Sequence, residues 1–484
     1  MWLILLASCA EPGPLAARAA WLQEGLTADN AYWLTRSPGL VETKYASMAA
    51  DPYDWMRGSN ALFLSDQVRP DPDRPLTRFL SREDAASVLL IGDPHLENLG
   101  TCLPGEEPDP NDATRLYGDG TAPLPLEWVD LDAAAFGPWT FDTRRSALAL
   151  ALVADAAEEC EACVVPVVAA FAAAYADEIT AQSRGERGWA ADAEGLGEGA
   201  LVVALRALAL GEGLSSAAHD TFTVVEADDR GIGHRRIARD EGRDAQGDGV
   251  LELGLRDAAQ LDRVLAGWTG GRPADFRRID AARYYGKGIA SLPATRFLVL
   301  WDRGEDGLDD DRLLNVREVL DPPSLDGLYP GLGSVFADNR DRIVTVSALF
   351  ASRPDADVRV GAVADGAAAF KTTSFSGWFQ TFDHEDIDRA FTLQAATPAD
   401  LEALAATVGR ALASAHARGT TLDGAPALPV IAEDLAAGGG ADAFTDERLR
   451  DATADLATLH ADHALFLALL DGSGPLLGAE VLYP

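Results

Sequence analysis

Nine residues carry the densest chemistry in the chain: Ile91-Gly92-Asp93-Pro94-His95-Leu96-Glu97-Asn98-Leu99. They continue an apolar, β-prone run, Ser87-Val88-Leu89-Leu90-Ile91, which predicts a buried strand that breaks at Gly92 into a polar turn. The turn presents Asp93, His95 and Asn98 in quick succession. A second piece, Val129-Asp130-Leu131-Asp132, ends the apolar run from Leu126 to Leu131. Carboxylates and a carboxamide in this pattern suit phosphoryl transfer. That chemistry asks for an aspartate to accept a hydroxyl proton, and for oxygen ligands that hold magnesium against phosphates. Asp93 is the candidate base, with Asn98 and Asp130 as candidate Mg2+ ligands. Asp132 is a further ligand or a cap of the turn before Gly137. Magnesium is satisfied by one or two carboxylates plus waters and phosphate oxygens, so a sparse set is enough. His95 is expected to brace the turn through backbone carbonyls rather than act as a base. Carboxylates brought this close imply a metal, a nearby arginine or a raised pKa.

The elements that must position these groups follow from the totals and the pattern. At 484 residues with 48% hydrophobic content, the chain can build a full core, in several domains or one bilobal enzyme. A net charge of −37 and a pI near 4.4 argue against nucleic acid and anionic membrane as partners. Lysine occurs three times only, at Lys44, Lys287 and Lys371, so a lysine kept against that bias has a better chance of being required. Four cysteines make no disulfide scaffold. Cys160 and Cys163, one helical turn apart, are small helix residues or a local disulfide. Leu6-Ala7-Ser8-Cys9 looks like a bacterial lipobox, with Cys9 as the lipidation site. That would place the protein in the cell envelope and confine membrane contact to the anchor; with an ordinary apolar N-terminus it would be cytoplasmic.

Residues 15 to 66 read as helices parted at Ser37-Pro38-Gly39 and Asp51-Pro52. Arg57, before Gly58, offers a phosphate contact or a surface salt bridge. Residues 102 to 125 read as a long exposed loop. Asp142 to Ala157 is an Ala/Leu helix apolar almost all round, hence buried, with Asp142 as its N-cap. Helices are expected at 165–182, 196–212 and 257–268, and loop over 225–250. From residue 284 the character changes: a glycine turn holding Lys287, Gly288 and Ser291 leads to strands Arg296–Trp301 and Arg312–Val319. Residues 343–351 and 357–363 also read as strands. Thr397 to Arg418 is an amphipathic helix, and 445–470 a last one, whose His460 and His463 read as surface or packing residues.

Several stretches carry a resemblance. Gly92-Asp93-x-His95-x-x-Asn98 looks like the catalytic loop of aminoglycoside-phosphotransferase-type kinases, in which asparagine also follows aspartate by five residues. More closely, the chain resembles the bacterial family known as domain of unknown function 2252. The matching stretches are Lys44 to Met48, Trp55 to Ser59, Gly92 to Gly100, Asp130-Leu131-Asp132, Gly137-Pro138-Trp139, Asp142 to Arg145 and Gly288 to Leu292. The resemblance implies an α+β, kinase-like bilobal fold binding ATP and Mg2+. A glycine loop would cover the phosphates, a basic residue on a later strand (Arg317) would grip them, and Asp142 would brace the catalytic loop. The pattern has lysine where this chain has Arg317, and more glycine where it has Ala290 and Pro293. Arginine does not replace lysine as a point donor. The helix ending at Arg418 resembles the one before a phosphotransferase catalytic loop, yet it follows that loop in sequence, so a circular permutation is implied. The expected layout is a signal and tether over 1–25, a helical lobe over 26–283, a β-rich lobe over 284–395, and helices over 396–484 that complete the helical lobe. Three functions compete: a phosphotransferase acting on a hydroxyl substrate, a degenerate kinase-like binder of a nucleotide or other small molecule, and a metal-dependent phosphoesterase using Asp93 and His95.

Overall fold

The computed structural model describes residues 13–68, 77–80, 87–101, 125–157, 163–186, 188–189, 199–213, 222–227, 229, 231, 233–240, 249–267, 277–302, 311–320, 322, 335–350, 361–365, 368–374 and 379–480. Cys9, Cys160 and the 102–124 stretch lie outside the described residues. The fold is α+β, about 59% helical, with small antiparallel sheets.

Its strands are β1 (Val88–Leu89), β2 (Leu99–Thr101), β3 (Leu126–Trp128), β4 (Phe136–Gly137), β5 (Thr223–Ala227), β6 (Gly233–Ile237), β7 (Gly249–Leu251), β8 (Arg277–Tyr285), β9 (Arg296–Asp302), β10 (Arg312–Val319), β11 (Gly361–Asp365), β12 (Ala368–Ser374) and β13 (Gln380–Thr381). The largest sheet has the order β11-β12-β10-β9-β8-β7, antiparallel throughout. Its central strand β9 is buried on both faces, as its near-continuous apolar run requires. Phe297, Val299 and Trp301 pack with Val316, Phe370 and the helix Leu255–Ala266 on one face. Leu298 and Leu300 pack with Leu313, Tyr284 and Val250 on the other. The short strands β13-β2-β3 form a second sheet beside the Asp93 turn.

The helices form the largest core. Trp139–Ala156 is buried nearly all round. Val164–Ser183 is long and apolar enough to cross a membrane by composition alone, but it packs against Pro398–Arg418 and Gly440–Ser473. Thr397 and Asp400 form a capping box that starts Pro398–Arg418.

Four readings need correction. Residues 343–350 lie in the helix Asn339–Phe350, not in a strand. Ile343, Val346 and Phe350 are buried at helical spacing, and Ile343 packs with Val319 and Ala369, so tertiary burial overrides β-branched propensity. The 225–250 region holds β5, β6 and β7, because pairing with neighbours supplies what local composition does not. The sheet begins at Gly249, well before residue 284. Asp142 lies in the first turn of its helix but does not cap it; Pro138 holds that position, and the carboxylate is used elsewhere. Cys163 is disulfide-bonded, so it is not a free helix residue.

Candidate functional site

One face of the helix Trp139–Ala156 holds the Asp93 turn residue by residue. Asp142, Arg145 and Ser146 stand at i, i+3 and i+4, the spacing that aligns side chains on one helical face. The Asp142 carboxylate accepts from the amide of Ile91 at 2.7 Å and that of Gly92 at 3.0 Å. Arg145 Nε donates to Asp93 Oδ1 at 2.8 Å, and its Nη2 donates to the Met56 carbonyl at 2.8 Å. Ser146 Oγ donates to the Pro94 carbonyl at 2.7 Å. His416, fully buried, meets Asp142 Oδ2 through Nε2 at 3.0 Å and the Tyr175 hydroxyl through Nδ1 at 2.8 Å. Asp142 therefore braces the turn, and the helix ending at Arg418 lies beside it. The Leu89 amide also donates to the Thr420 carbonyl at 2.9 Å. Gly92 has a φ of +87°, and a Cβ there would lie 2.1 Å from the Ala133 carbonyl oxygen. No other residue fits.

Within the turn, Asn98 Nδ2 donates to the Asp93 carbonyl at 2.9 Å. Its Oδ1 keeps its acceptor capacity, with no donor among the described residues. The Asn98 carbonyl accepts from the Val129 amide at 2.9 Å, which ties Asn98 to the Asp130 strand end. Burial raises the pKa of Asp93, and the neighbouring Asp130 charge adds to this; Arg145 opposes both without cancelling them. His95 makes no carbonyl bond with its ring. Nδ1 is buried with no partner among the described residues, and Nε2 stands 3.7 Å from Asp93 Oδ2. Burial, then Arg57 and Arg145, lowers its pKa to about 3, so the imidazole is neutral.

The sheet brings basic residues to the same place. Arg317 on β10 is in register with Arg296 on β9 and with Lys371 on β12. Directly paired residues point to the same face, so three cations form a row. Arg317 Nη2 bonds Asp130 Oδ1 at 3.0 Å and also bonds Asp132 Oδ2. Lys371 Nζ lies 3.3 Å from Asp132 Oδ1. Burial alone would raise the pKa of Asp130, but Arg317 and Lys371 hold it well below the carboxylate range. Of the three answers to carboxylate crowding, an arginine serves Asp130, while Asp93, paired with Arg145, also keeps a raised pKa, chiefly through burial.

Arg57 stands apart, ion-paired with Asp54 at 2.8 Å and Glu97 at 2.7 Å, the salt-bridge alternative. Glu97 also meets His384 Nδ1 at 2.7 Å, while Asp51 meets His384 Nε2 at 3.4 Å. Two carboxylate–imidazole groups close enough to hold an ion, Asp51–Asp54–His384 and Glu97–Asp383–His384, share this histidine. Burial pulls the His384 pKa down, but hydrogen bonds to Asp51 and Glu97 outweigh it and raise the value to about 10. The imidazolium itself then supplies the positive charge. A raised histidine pKa stabilises fully below the unfolded value of about 6.5, and that stabilisation is lost as pH rises towards 10. His384→Gln is therefore expected to lower the urea midpoint at pH 6 and to match the wild type near pH 10. An equal loss at both pH values would contradict the imidazolium assignment.

Lys287 and Gly288 are exposed in the turn between β8 and β9, and Ser291 Oγ accepts from Arg296 Nη2 at 2.6 Å. Sequence reasoning missed Arg145, Arg296 and Lys371 as site residues. Lys371 carried a signal, as one of three lysines. Arg145 carried one as the last residue of the Asp142-Thr143-Arg144-Arg145 stretch. Arg296 carried none, because only strand register places it beside Arg317.

No curated protein and no solved structure matches this chain. A family match covers residues 36–469, and the chain therefore belongs to the family described as "Uncharacterized protein conserved in bacteria (DUF2252)".

Proposed function

We propose that this protein is a Mg2+- and ATP-dependent phosphotransferase of kinase-like, bilobal and circularly permuted architecture, acting on a hydroxyl group. The observation that carries the reading is the pairing of Arg317 with Asp130 and of Lys371 with Asp132, beside the turn that carries Asp93 and Asn98. Kinase chemistry needs a base, metal-holding oxygens and a strand-borne cation, and little covalent work from the protein. The glycine turn between β8 and β9, followed by a basic residue on β10, has the outline of a kinase N-lobe. Permutation is supported by the Pro398–Arg418 helix, which runs into the Asp93 turn in space although it comes over three hundred residues later in sequence.

The donor set fits a magnesium nucleotide. Asn98 Oδ1 has acceptor capacity to spare, and the Asp130 and Asp132 side chains are 32% and 21% exposed, hence reachable. Asn98 and Asp130 would hold the ion, and Arg317 and Lys371 would hold phosphate oxygens. Magnesium, when bound, would supply positive charge to offset the phosphates. Asp93, fixed by Arg145, accepts the hydroxyl proton at its carboxylate. Its raised pKa improves it as a base, since proton acceptors work best near the ambient pH. Ligand entry requires Asp130 and Asp132 to exchange Arg317 and Lys371 for the ion.

A second reading is a silent nucleotide binder, favoured by the same Arg317 pairs, which tie up both carboxylates. Turnover separates the two. With water or an added hydroxyl compound as the phosphoryl acceptor, wild type is expected to form ADP from ATP only with Mg2+, and Asp93→Asn is expected to slow this about a hundredfold or more at unchanged ATP affinity. Binding without any turnover would instead establish the silent reading.

A further inference from the structure

Arg296 has no part in the ion pairs that occupy its neighbours. It is 6% exposed, and among the described residues its Nε has no partner and its one hydrogen bond is to the Ser291 hydroxyl. It makes no ion pair among the described residues, while Arg317 and Lys371 share Asp130 and Asp132. A buried guanidinium beside a second one is costly unless an anion offsets it. Burial first, then the Arg317 charge, lowers its pKa to about 9; the charges of Asp130 and Asp132 pull the other way from a distance without cancelling them. Beside it runs a turn with two glycines at positive φ, Gly286 at +80° and Gly288 at +74°. A Cβ on Gly288 would lie 3.4 Å from Arg296 Nη2 and 3.0 Å from Ser291 Oγ, so bare backbone approaches the guanidinium. The amides of Ile289, Ala290 and Ser291 donate to no acceptor among the described residues. Backbone amides clustered next to an arginine suit an anion.

We propose that Arg296, Arg317 and Lys371 form a ladder for a linear polyphosphate, with the Gly288–Ser291 turn supplying amides at the Arg296 end. The proposal rests on the phosphotransferase reading for its choice of face, and adds that recognition follows the phosphate chain. Adjacent strands lie about 4.8 Å apart, so three cations in register span roughly 10 Å. That is a row rather than a point, and it favours a triphosphate over a single phosphate. Nucleoside triphosphate and inorganic tripolyphosphate share this chemistry.

Calorimetric titration of the full chain with ATP, AMP and inorganic tripolyphosphate, in Mg2+, tests the ladder. Wild type is expected to bind ATP and tripolyphosphate well above AMP. Arg296→Gln is expected to weaken both by about tenfold to a hundredfold, the worth of a charged hydrogen bond, and to leave AMP nearly unchanged. Arg296→Lys keeps the charge without the planar fork and should fall between; it serves as the reading if Arg296→Gln does not fold. ATP binding that Arg296→Gln leaves intact would overturn the ladder while the phosphotransferase reading stands. Tripolyphosphate binding without ATP binding, weakened by Arg296→Gln, would keep the ladder and remove the nucleotide. Equal affinity for AMP and ATP, or no polyphosphate binding at all, would overturn it.

Discussion

Asp142→Ala is expected to cost about 3–5 kcal/mol and to loosen the Asp93 turn before the rest of the fold. The carboxylate is 1% exposed and accepts from the Ile91 and Gly92 amides and from the His416 ring. Alanine leaves all three polar groups buried with no acceptor, and each such loss costs about 1–3 kcal/mol. Asp142→Asn keeps one carbonyl acceptor, so a loss of about 1–3 kcal/mol is expected. Denaturant unfolding gives the magnitude, and hydrogen exchange at Ile91 and Gly92 gives the location. A change under about 1 kcal/mol for alanine, or unaltered exchange at those amides, would show that the turn is held by something else.

The second large effect is expected at Arg317. Arg317→Met strands Asp130 and Asp132 side by side with Lys371 as their remaining ion-pair partner. Removing one partner of a buried pair costs about 3–5 kcal/mol, and the partial exposure of both carboxylates reduces this to about 2–3 kcal/mol. The sign with pH is fixed by Asp130. Its pKa is depressed in the folded state, so its pairing stabilises above the unfolded value of about 3.9 and is lost as pH falls through the folded value. The gap between wild type and Arg317→Met should be full at pH 7 and should close below about pH 4. A gap independent of pH would contradict the pairing as its cause. Polyphosphate affinity should fall with it, by about a hundredfold.

Much of this was legible because the local signals agreed. The run Arg312–Val319 is β-prone and is a strand to the residue; Arg296–Trp301 is one residue short of β9. The Thr397-x-x-Asp400 cap starts the Pro398–Arg418 helix where its polar and apolar periodicity begins. Asp93 and Asn98 share one turn by spacing alone, whereas Asp130 comes beside it through the backbone bond from Val129 to Asn98. What stayed hidden depends on chain segments far apart in sequence. Arg296 and Lys371 join Arg317 only through register, and a slip of one residue would point Arg317 to the opposite face. The Asn339–Phe350 helix reads as a strand until Val319 and Ala369 cover Ile343. No local pattern marks His384, and only folding sets it between Asp51 and Glu97. Arg57 was legible as a cation near glycine, but its two carboxylates come from Asp54 on its own helix and Glu97 in the turn.

The central claim is that Asp130, across from Arg317, is half of a magnesium-nucleotide site. Calorimetric titration of wild type and Asp130→Asn with ATP, with and without Mg2+, tests it most directly. Wild type is expected to bind one ATP per chain tightly only when Mg2+ is present, and Asp130→Asn to lose that metal dependence while its fold survives. ATP binding that ignores Mg2+ in the wild type, or metal-dependent binding that persists in Asp130→Asn, would contradict it.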